Sequence, residues 1–296
     1  MKSYCFLFAF LVATLVNATL SYAQYSELSI GAGIANYWGD LNPTKVKGNL
    51  EQSGFGVSLG YHYHAGNGIA LRGDIGYYRV ANDDSFQEDL IKRQRNLSFK
   101  SPIVSGAVMA EFHLFELVSR YSFTRLISPY AVLGVGGFYF NPTTEYNGQT
   151  YELRPLGTEG QGQPGNPDIY KPVSLEIPFG GGLKFSVSES VAISVEAIMR
   201  YTLTDYLDDV STDYASYESL LDENGSIAAA LSERVDEFLG EPEGSQSSRF
   251  EGIQRGSPSV KDYYSGVMVR AQFYLGKGLQ SPFNLGKGNS AVCPEF

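Results

Sequence analysis

Apolar and polar residues alternate along eight stretches of the chain. In the clearest stretch, Val191, Ile193 and Val195 share one face, and Ser194 and Glu196 share the other. Alternation over about ten residues is typical of a membrane β-strand, which turns apolar side chains to lipid and polar side chains to the lumen. The predicted strands cover 27–37, 55–64, 69–78, 104–113, 130–140, 173–187, 191–203 and 267–275.

The connections between these strands alternate in length. Two are tight turns, at 65–68 and 188–190, and a third covers 115–128. The other four are long and cover 39–52, 82–97, 141–170 and 206–260. Outer-membrane barrels have even strand numbers, short periplasmic turns and long outer loops. The pattern therefore predicts an all-β fold, an eight-stranded antiparallel transmembrane β-barrel, whereas a soluble β-sandwich would not require every second connection to be long.

The polar faces of the strands contain as many basic as acidic residues. Eight charged positions are predicted to face the lumen: Arg72, Asp74, Glu111, Glu176, Lys184, Glu196, Arg200 and Arg270. The lumen of an eight-stranded barrel is just wide enough for side chains to fill it, and buried charges without partners are very costly. A balanced set therefore favours a lumen closed by ion pairs over an open pore or an ion path.

The beginning of the chain has the layout of a secretory signal peptide. Lys2 precedes an apolar run at 6–16, which is followed by Ser21-Tyr22-Ala23, a sequence that suits signal peptidase. The apolar run is too short to cross a bilayer, which takes about 20 residues. We expect cleavage after Ala23 and an integral outer-membrane protein in contact with outer-membrane lipid. The predicted divisions are a signal peptide at 1–23, a barrel at 24–276 whose acidic loop covers about 206–260, and a periplasmic tail at 277–296.

Charge and cysteine content exclude several functions. The formal net charge of −10 makes the chain a poor candidate for nucleic-acid binding, which relies on Lys and Arg. Cys5 would leave with the signal peptide, and Cys293 alone cannot form an internal disulfide or a zinc cluster. No GxSxG, HExxH or P-loop motif is present. We therefore predict a non-catalytic protein without a cofactor.

Histidines and aspartates offer two possible metal sites. His62 and His64 project from one strand face, so a metal site is one interpretation, but polar lumen positions are commoner. The last long loop contains four aspartates whose oxygens could bind calcium: Asp205, Asp208, Asp209 and Asp213. Their spacing does not match an EF-hand loop, so we favour a solvated acidic loop and predict no metal.

The last loop is also predicted to contain a short helix. Twelve acidic residues and one basic residue lie between Asp205 and Glu243. Ile227, Leu231 and Val235 recur at roughly helical spacing, and Ser226 is a suitable N-cap for a helix over 226–239.

Four short motifs lie near the outer ends of predicted strands or in the loops that follow. They are Tyr37-Trp38-Gly39-Asp40-Leu41-Asn42-Pro43, Pro155-Leu156-Gly157-Thr158-Glu159-Gly160-Gln161-Gly162, Thr204-Asp205-Tyr206-Leu207-Asp208-Asp209-Val210-Ser211 and Arg255-Gly256-Ser257-Pro258. The predicted outer-rim positions within them are Gly39, Asp40, Asn42, Gly157, Glu159, Asp205, Asp208 and Asp209. Carboxylates at a rim can accept hydrogen bonds from loop amides and hold the loops against the barrel.

The order and spacing of these motifs resemble the PorG-like outer-membrane β-barrels of Bacteroidota, which are associated with the type IX secretion system. The resemblance covers nearly the whole mature chain. It implies a non-catalytic component of a protein-export machine that ties a periplasmic ring to the outer membrane. The implied partners are a periplasmic ring lipoprotein and a ring subunit. The long acidic last loop and the tail after the final strand depart from the family pattern.

The third periplasmic connection is the predicted partner surface. It is longer and more apolar than the two tight turns, and exposed apolar segments mark interaction sites. Aromatic residues and arginines are enriched at binding hot spots, so the predicted contact residues are Arg120, Tyr121, Phe123 and Arg125. The alternative is that this segment folds back and caps the barrel floor.

A second function remains open for the whole chain. The acidic outer loops are also compatible with a surface-binding barrel that recognises an ion, a glycan or a host protein. A third class is a small channel or an enzyme, which the balanced set of lumen charges disfavours.

Overall fold

The computed structural model describes residues 25–42, 46–66, 68–118, 127–188, 190–245 and 250–275. The expected signal peptide and tail lie outside the described residues, as do the predicted partner-binding positions at 120–125.

Ten strands are formed by the described residues, and eight of them close a barrel. The strands are β1 (Tyr25–Trp38), β2 (Gly54–Gly66), β3 (Ile69–Asp83), β4 (Ser98–His113), β5 (Ile127–Phe140), β6 (Thr143–Tyr146), β7 (Gln149–Glu152), β8 (Val173–Ser186), β9 (Val191–Thr202) and β10 (Tyr263–Leu275). The barrel order is β1, β2, β3, β4, β5, β8, β9 and β10, and β10 pairs with β1. All these pairings are antiparallel. The predicted eight-stranded antiparallel barrel is confirmed.

Several strands are longer than the alternation alone predicts. The β3–β4 ladder continues to the pair Asp83 and Ser98, so the loop between these strands is shorter than the predicted 82–97. β6 and β7 form a hairpin within the predicted long loop 141–170, and Thr143 of β6 pairs with Lys100 of β4. Its turn residues Asn147 and Gly148 both have positive φ, 49° and 75°, as a two-residue type I′ turn requires.

The outside of the barrel is an exposed apolar belt. Leu59, Ile75 and Val135 are 61%, 67% and 69% exposed, although they lie in regular strands. Aromatic rings pack in pairs near the outer ends of the strands, with Phe55 and Tyr77 5.8 Å apart between ring centroids. An apolar band with aromatic residues at its edge is the surface that an integral outer-membrane barrel turns to lipid. The chain is therefore an integral outer-membrane protein.

The connections contain short helices. They are α1 (Val46–Glu51), α2 (Leu90–Arg95), α3 (Leu114–Val118), α4 (Tyr217–Glu223), α5 (Ser226–Ser232) and α6 (Val235–Leu239). The last loop thus has three short helices where one was expected. The prediction of Ser226 as N-cap is wrong, because α5 begins at Ser226 and Gly225 occupies the cap position. No helix of the described residues has the length and apolar character needed to span a membrane.

The largest buried apolar cluster lies at the outer end of the barrel. Tyr37, Phe99 and Phe140 from the strands pack there with Leu207 and Leu231 from the last loop. The long loops therefore fold inward over the barrel and form an outer cap, defined here as residues 39–42, 84–97, 153–170, 203–245 and 250–262.

Candidate functional site

The centre of the lumen is filled by two arginines and two carboxylates. Arg72 donates to both oxygens of Glu196, over 2.7 and 2.9 Å, and contacts Asp74 at 2.6 Å. Arg270 lies 3.0 Å from both Asp74 and Glu196, and Tyr130 also donates to Glu196. Two positive and two negative charges therefore neutralise one another inside the barrel.

A second ion pair lies above this centre, towards the loops. Arg200 contacts Glu176 at 2.8 Å and donates to the Tyr78 hydroxyl over 2.7 Å. Tyr264 and Ser105 donate to the same glutamate. Arg200 thus pairs with Glu176, and Glu196 pairs with the two arginines at the centre.

The periplasmic end of the lumen holds the remaining charges together with the three histidines. Lys184 contacts Glu27 at 2.6 Å, and His64 approaches the same carboxylate at 3.0 Å. Glu111 lies between His62 and His113, at 3.1 and 3.0 Å. Glu27 was not among the predicted lumen charges. Its position next to the outward Leu28 would have predicted that it faces the lumen.

The structure places all eight predicted lumen charges inside the barrel, and each is at most 5% exposed. Among the described residues, no three His, Cys, Asp or Glu side chains are arranged to hold a metal ion. Bidentate ion pairs at the centre of the barrel leave the charged groups engaged with one another.

Glu159 and Arg255 connect two of the outer loops. Arg255 donates to Glu159 over 3.0 Å and to the carbonyl oxygens of Asp209 and Ser232. Glu159 also accepts hydrogen bonds from the backbone amides of Ser211 and Thr212, over 2.9 and 3.1 Å. The buried carboxylate of Glu159 therefore joins three of the motifs. It binds the backbone of the motif that ends at Ser211 and the side chain of Arg255 in the last motif.

Other rim carboxylates bind neighbouring loops in the same manner. The Asp40 carboxylate accepts the amide of Ser257 over 2.8 Å. Asp209 accepts the hydroxyls of Tyr170 and Thr158 over 2.7 and 2.6 Å. Together with the Glu159 hub, these contacts bring all four motifs into one network.

The predicted rim positions that remain are also in this cap. Asp205 accepts the Ser211 hydroxyl over 2.7 Å, and Asn42 accepts from the side chain of Asn49. Gly157 adopts a left-handed φ of 58°. At Gly39 a Cβ atom would overlap the Tyr37 hydroxyl and the Asp262 carboxylate, so only glycine fits there. Tyr37 was not predicted to form hydrogen bonds at the rim, and Asp262 was not among the predicted rim residues.

Burial makes three aspartates of the cap weaker acids than exposed aspartates. It raises the pKa of Asp205 to about 6 and that of Asp209 to about 6. Burial also raises the pKa of Asp40 above its ordinary value, against the lowering effects of the Ser257 amide and the Arg95 charge. The cap therefore holds more protons near neutral pH than exposed aspartates would.

Fold and site together define an integral outer-membrane β-barrel with an ion-paired lumen and a folded outer cap. The model of a family described as a domain of unknown function, DUF6089, matches residues 5–227. The chain belongs to the DUF6089 family.

Solved structures with a similar course of the chain are outer-membrane or surface proteins. The attachment invasion locus protein Ail of Yersinia pestis is 12% identical, with 86% of this chain and 100% of that chain covered and a TM-score of 0.38. Neisserial surface protein A is 10% identical, with 84% and 96% covered and a TM-score of 0.38. A major outer membrane protein from Thermus thermophilus is 10% identical, with 84% and 99% covered and the same TM-score of 0.38. Likenesses at this level carry no function over to the chain, and no curated protein matches it.

Proposed function

We propose that the chain is a non-catalytic component of a type IX protein secretion machine that anchors a periplasmic ring complex to the outer membrane. The observation that carries this proposal is the convergence of the four motifs. Glu159, Arg255 and Asp40 join segments that are far apart in the sequence into one buried network. The resemblance to PorG-like barrels therefore concerns one coherent structural element.

The filled lumen supports the role of an anchor. Arg72, Arg270 and Glu196 occupy the middle of the barrel and are satisfied by one another. A barrel closed in this way offers no route for cargo, which leaves its outer cap and its periplasmic end for interaction. The same mutual pairing supports a non-catalytic protein, because the lumen charges are not left available to a substrate.

The proposed partners are the ring lipoprotein and the ring subunit implied by the family resemblance. The proposed contact is the periplasmic connection that contains Arg120, Tyr121, Phe123 and Arg125. α3 precedes this segment in the sequence, and its Leu114, Phe115 and Leu117 are exposed apolar side chains, which mark interaction sites.

Deletion of the gene in the native host tests the proposal. We expect proteins exported by the secretion system to disappear from the culture medium, as measured by quantitative mass spectrometry. A plasmid copy of the wild-type gene should restore export, whereas a Tyr121→Ala/Arg125→Ala copy should not. The matched control, Asp213→Ala/Glu218→Ala, changes two exposed side chains of the outer loop and should restore export. Unchanged export in the deletion strain would contradict the proposal.

A second candidate, a surface-binding barrel, is favoured by the distribution of charge. Of the 32 acidic residues, 23 lie in the outer connections 39–53, 84–97, 141–172 and 203–262, which contain 11 of the 22 basic residues. Such a surface would attract cationic groups. Intact export in the deletion strain, with lost adhesion to a host surface or glycan, would favour this function.

A further inference from the structure

Two buried carboxylates and one tyrosine meet where the outer cap joins the barrel. The Tyr37 hydroxyl lies 2.6 Å from Asp208 Oδ2 and 2.8 Å from Asp262 Oδ1. All three side chains are at most 1% exposed. The trio connects the outer end of β1, the start of the last loop and the residue that precedes β10.

The number of protons at this site decides how many hydrogen bonds it can form. A tyrosine hydroxyl has a single hydrogen and donates it to one acceptor in a well-aligned hydrogen bond. The second oxygen of each carboxylate is already occupied. Asp208 Oδ1 accepts a hydrogen bond from the Val210 amide over 3.0 Å, and Asp262 Oδ2 accepts one from the Leu207 amide over 2.9 Å. If both carboxylates were ionised, one of the two short contacts to Tyr37 would have no hydrogen in it.

The surrounding charges do not neutralise this pair. Burial is the largest influence on the Asp208 carboxyl and raises its pKa, whereas the Tyr37 hydrogen bond lowers it. Asp40 raises the pKa of Asp208 further, and Arg95 lowers it. Arg95 is itself paired with Asp84 at 2.7 Å. Burial and then the Asp208 charge raise the pKa of Asp262. The hydrogen bonds from Tyr37 and the Leu207 amide lower it, and Asp205 raises it.

Two further groups face the trio. Tyr170 lies near Asp208 and donates to Asp209, and Lys261, next to Asp262, donates to the Pro258 carbonyl. No ion pair formed within the described part of the chain involves Asp208 or Asp262, so a proton is the group that can balance one of the two charges.

We propose that Asp208, Tyr37 and Asp262 share one additional proton and form a pH-sensitive latch that keeps the outer cap closed. One carboxyl group donates to the Tyr37 oxygen, and Tyr37 donates to the other carboxylate. Loss of that proton leaves two buried negative charges around one hydroxyl, which favours opening of segment 203–211.

The direction of the pH effect follows from proton linkage. A carboxyl group whose pKa is higher in the closed cap than in the open loop stabilises the closed cap fully below the open-loop pKa. That contribution is lost as the pH rises through the closed-cap pKa. Between the two values, release of one proton shifts the opening equilibrium about tenfold per pH unit.

Hydrogen–deuterium exchange of the full-length protein, folded in detergent micelles, measures this equilibrium. The reporters are the amides of Leu207 and Val210, with rates divided by their intrinsic exchange rates at each pH. The measurement covers about pH 7 to about pH 9, which lies above the pKa values of about 6 of Asp205 and Asp209. We expect wild-type protection to fall with rising pH, by up to about tenfold per unit.

Asparagine substitutions identify the groups that titrate. Asp208→Asn and Asp262→Asn each supply a permanent amide donor to Tyr37, so protection should become independent of pH. Asp213→Asn removes the same charge from an exposed position of the same loop and should keep the wild-type pH dependence.

Two results would overturn the latch. One is wild-type protection that does not change with pH, a measurement that requires no variant to fold. The other is full wild-type pH dependence in both Asp208→Asn and Asp262→Asn.

Discussion

At the scale of single residues, the lumen depends on charge pairs that alternation alone could not assign. A side-chain period of two predicts which face a residue occupies, and it placed Arg200 and Glu196 inside. Partners depend also on strand register and tilt. Arg72 therefore reaches across from β3 to Glu196 on β9, whereas Arg200 on β9 binds Glu176 on the adjacent β8. This pairing becomes visible only when the barrel is closed.

Replacement of Arg200 tests the importance of these pairs. Arg200→Leu should destabilise the barrel by about 3–5 kcal/mol, because Glu176 keeps its burial and loses its cationic partner. Val195→Leu changes a lipid-facing side chain that is 45% exposed and should alter the free energy of unfolding by less than about 0.5 kcal/mol. Denaturant unfolding in detergent micelles measures both values. Equal stabilities of the two variants would show that Arg200 is not part of a buried pair.

At the scale of elements, the outer cap is where sequence analysis was least complete. The hairpin of β6 and β7 could have been found, because Asn147-Gly148 between alternating residues is a strong turn signal. The network around Glu159 could not be found in the same way. Its contacts join Glu159 to Ser211 and Arg255, 52 and 96 positions away, and no local pattern specifies such distances. Motif positions were therefore predictable, but their partners were not.

The role of Glu159 in the cap can be tested within its own loop. Glu159→Ala removes the acceptor of two backbone amides and leaves Arg255 buried without its carboxylate. The cap should lose about 3–5 kcal/mol of local stability, so segment 203–262 should become far more sensitive to limited proteolysis. Glu152→Ala changes the exposed last residue of β7, in the same connection between β5 and β8; it is the matched control and should leave cleavage unchanged. Similar cleavage of both variants would rule out the hub role of Glu159.

At the scale of the whole molecule, the chain has three regions with different chemistry. The outer connections hold most of the acidic residues, the apolar belt surrounds the strands, and ion pairs fill the lumen. Composition and alternation predicted the belt and the acidic loops. Leu207, Leu231 and Tyr37 close the outer end as one buried cluster. This could not be predicted from the sequence, because the sequence does not show which surface an apolar loop residue will cover.

The proposed role requires that this barrel is a sealed anchor rather than a channel. Conductance of the folded wild-type protein in planar lipid bilayers tests it most directly, with folding verified by a heat-dependent shift in gel migration. The ion-paired centre around Arg72, Arg270 and Glu196 predicts no steady ionic current at neutral pH. A stable, reproducible single-channel conductance of the wild-type barrel would contradict the account.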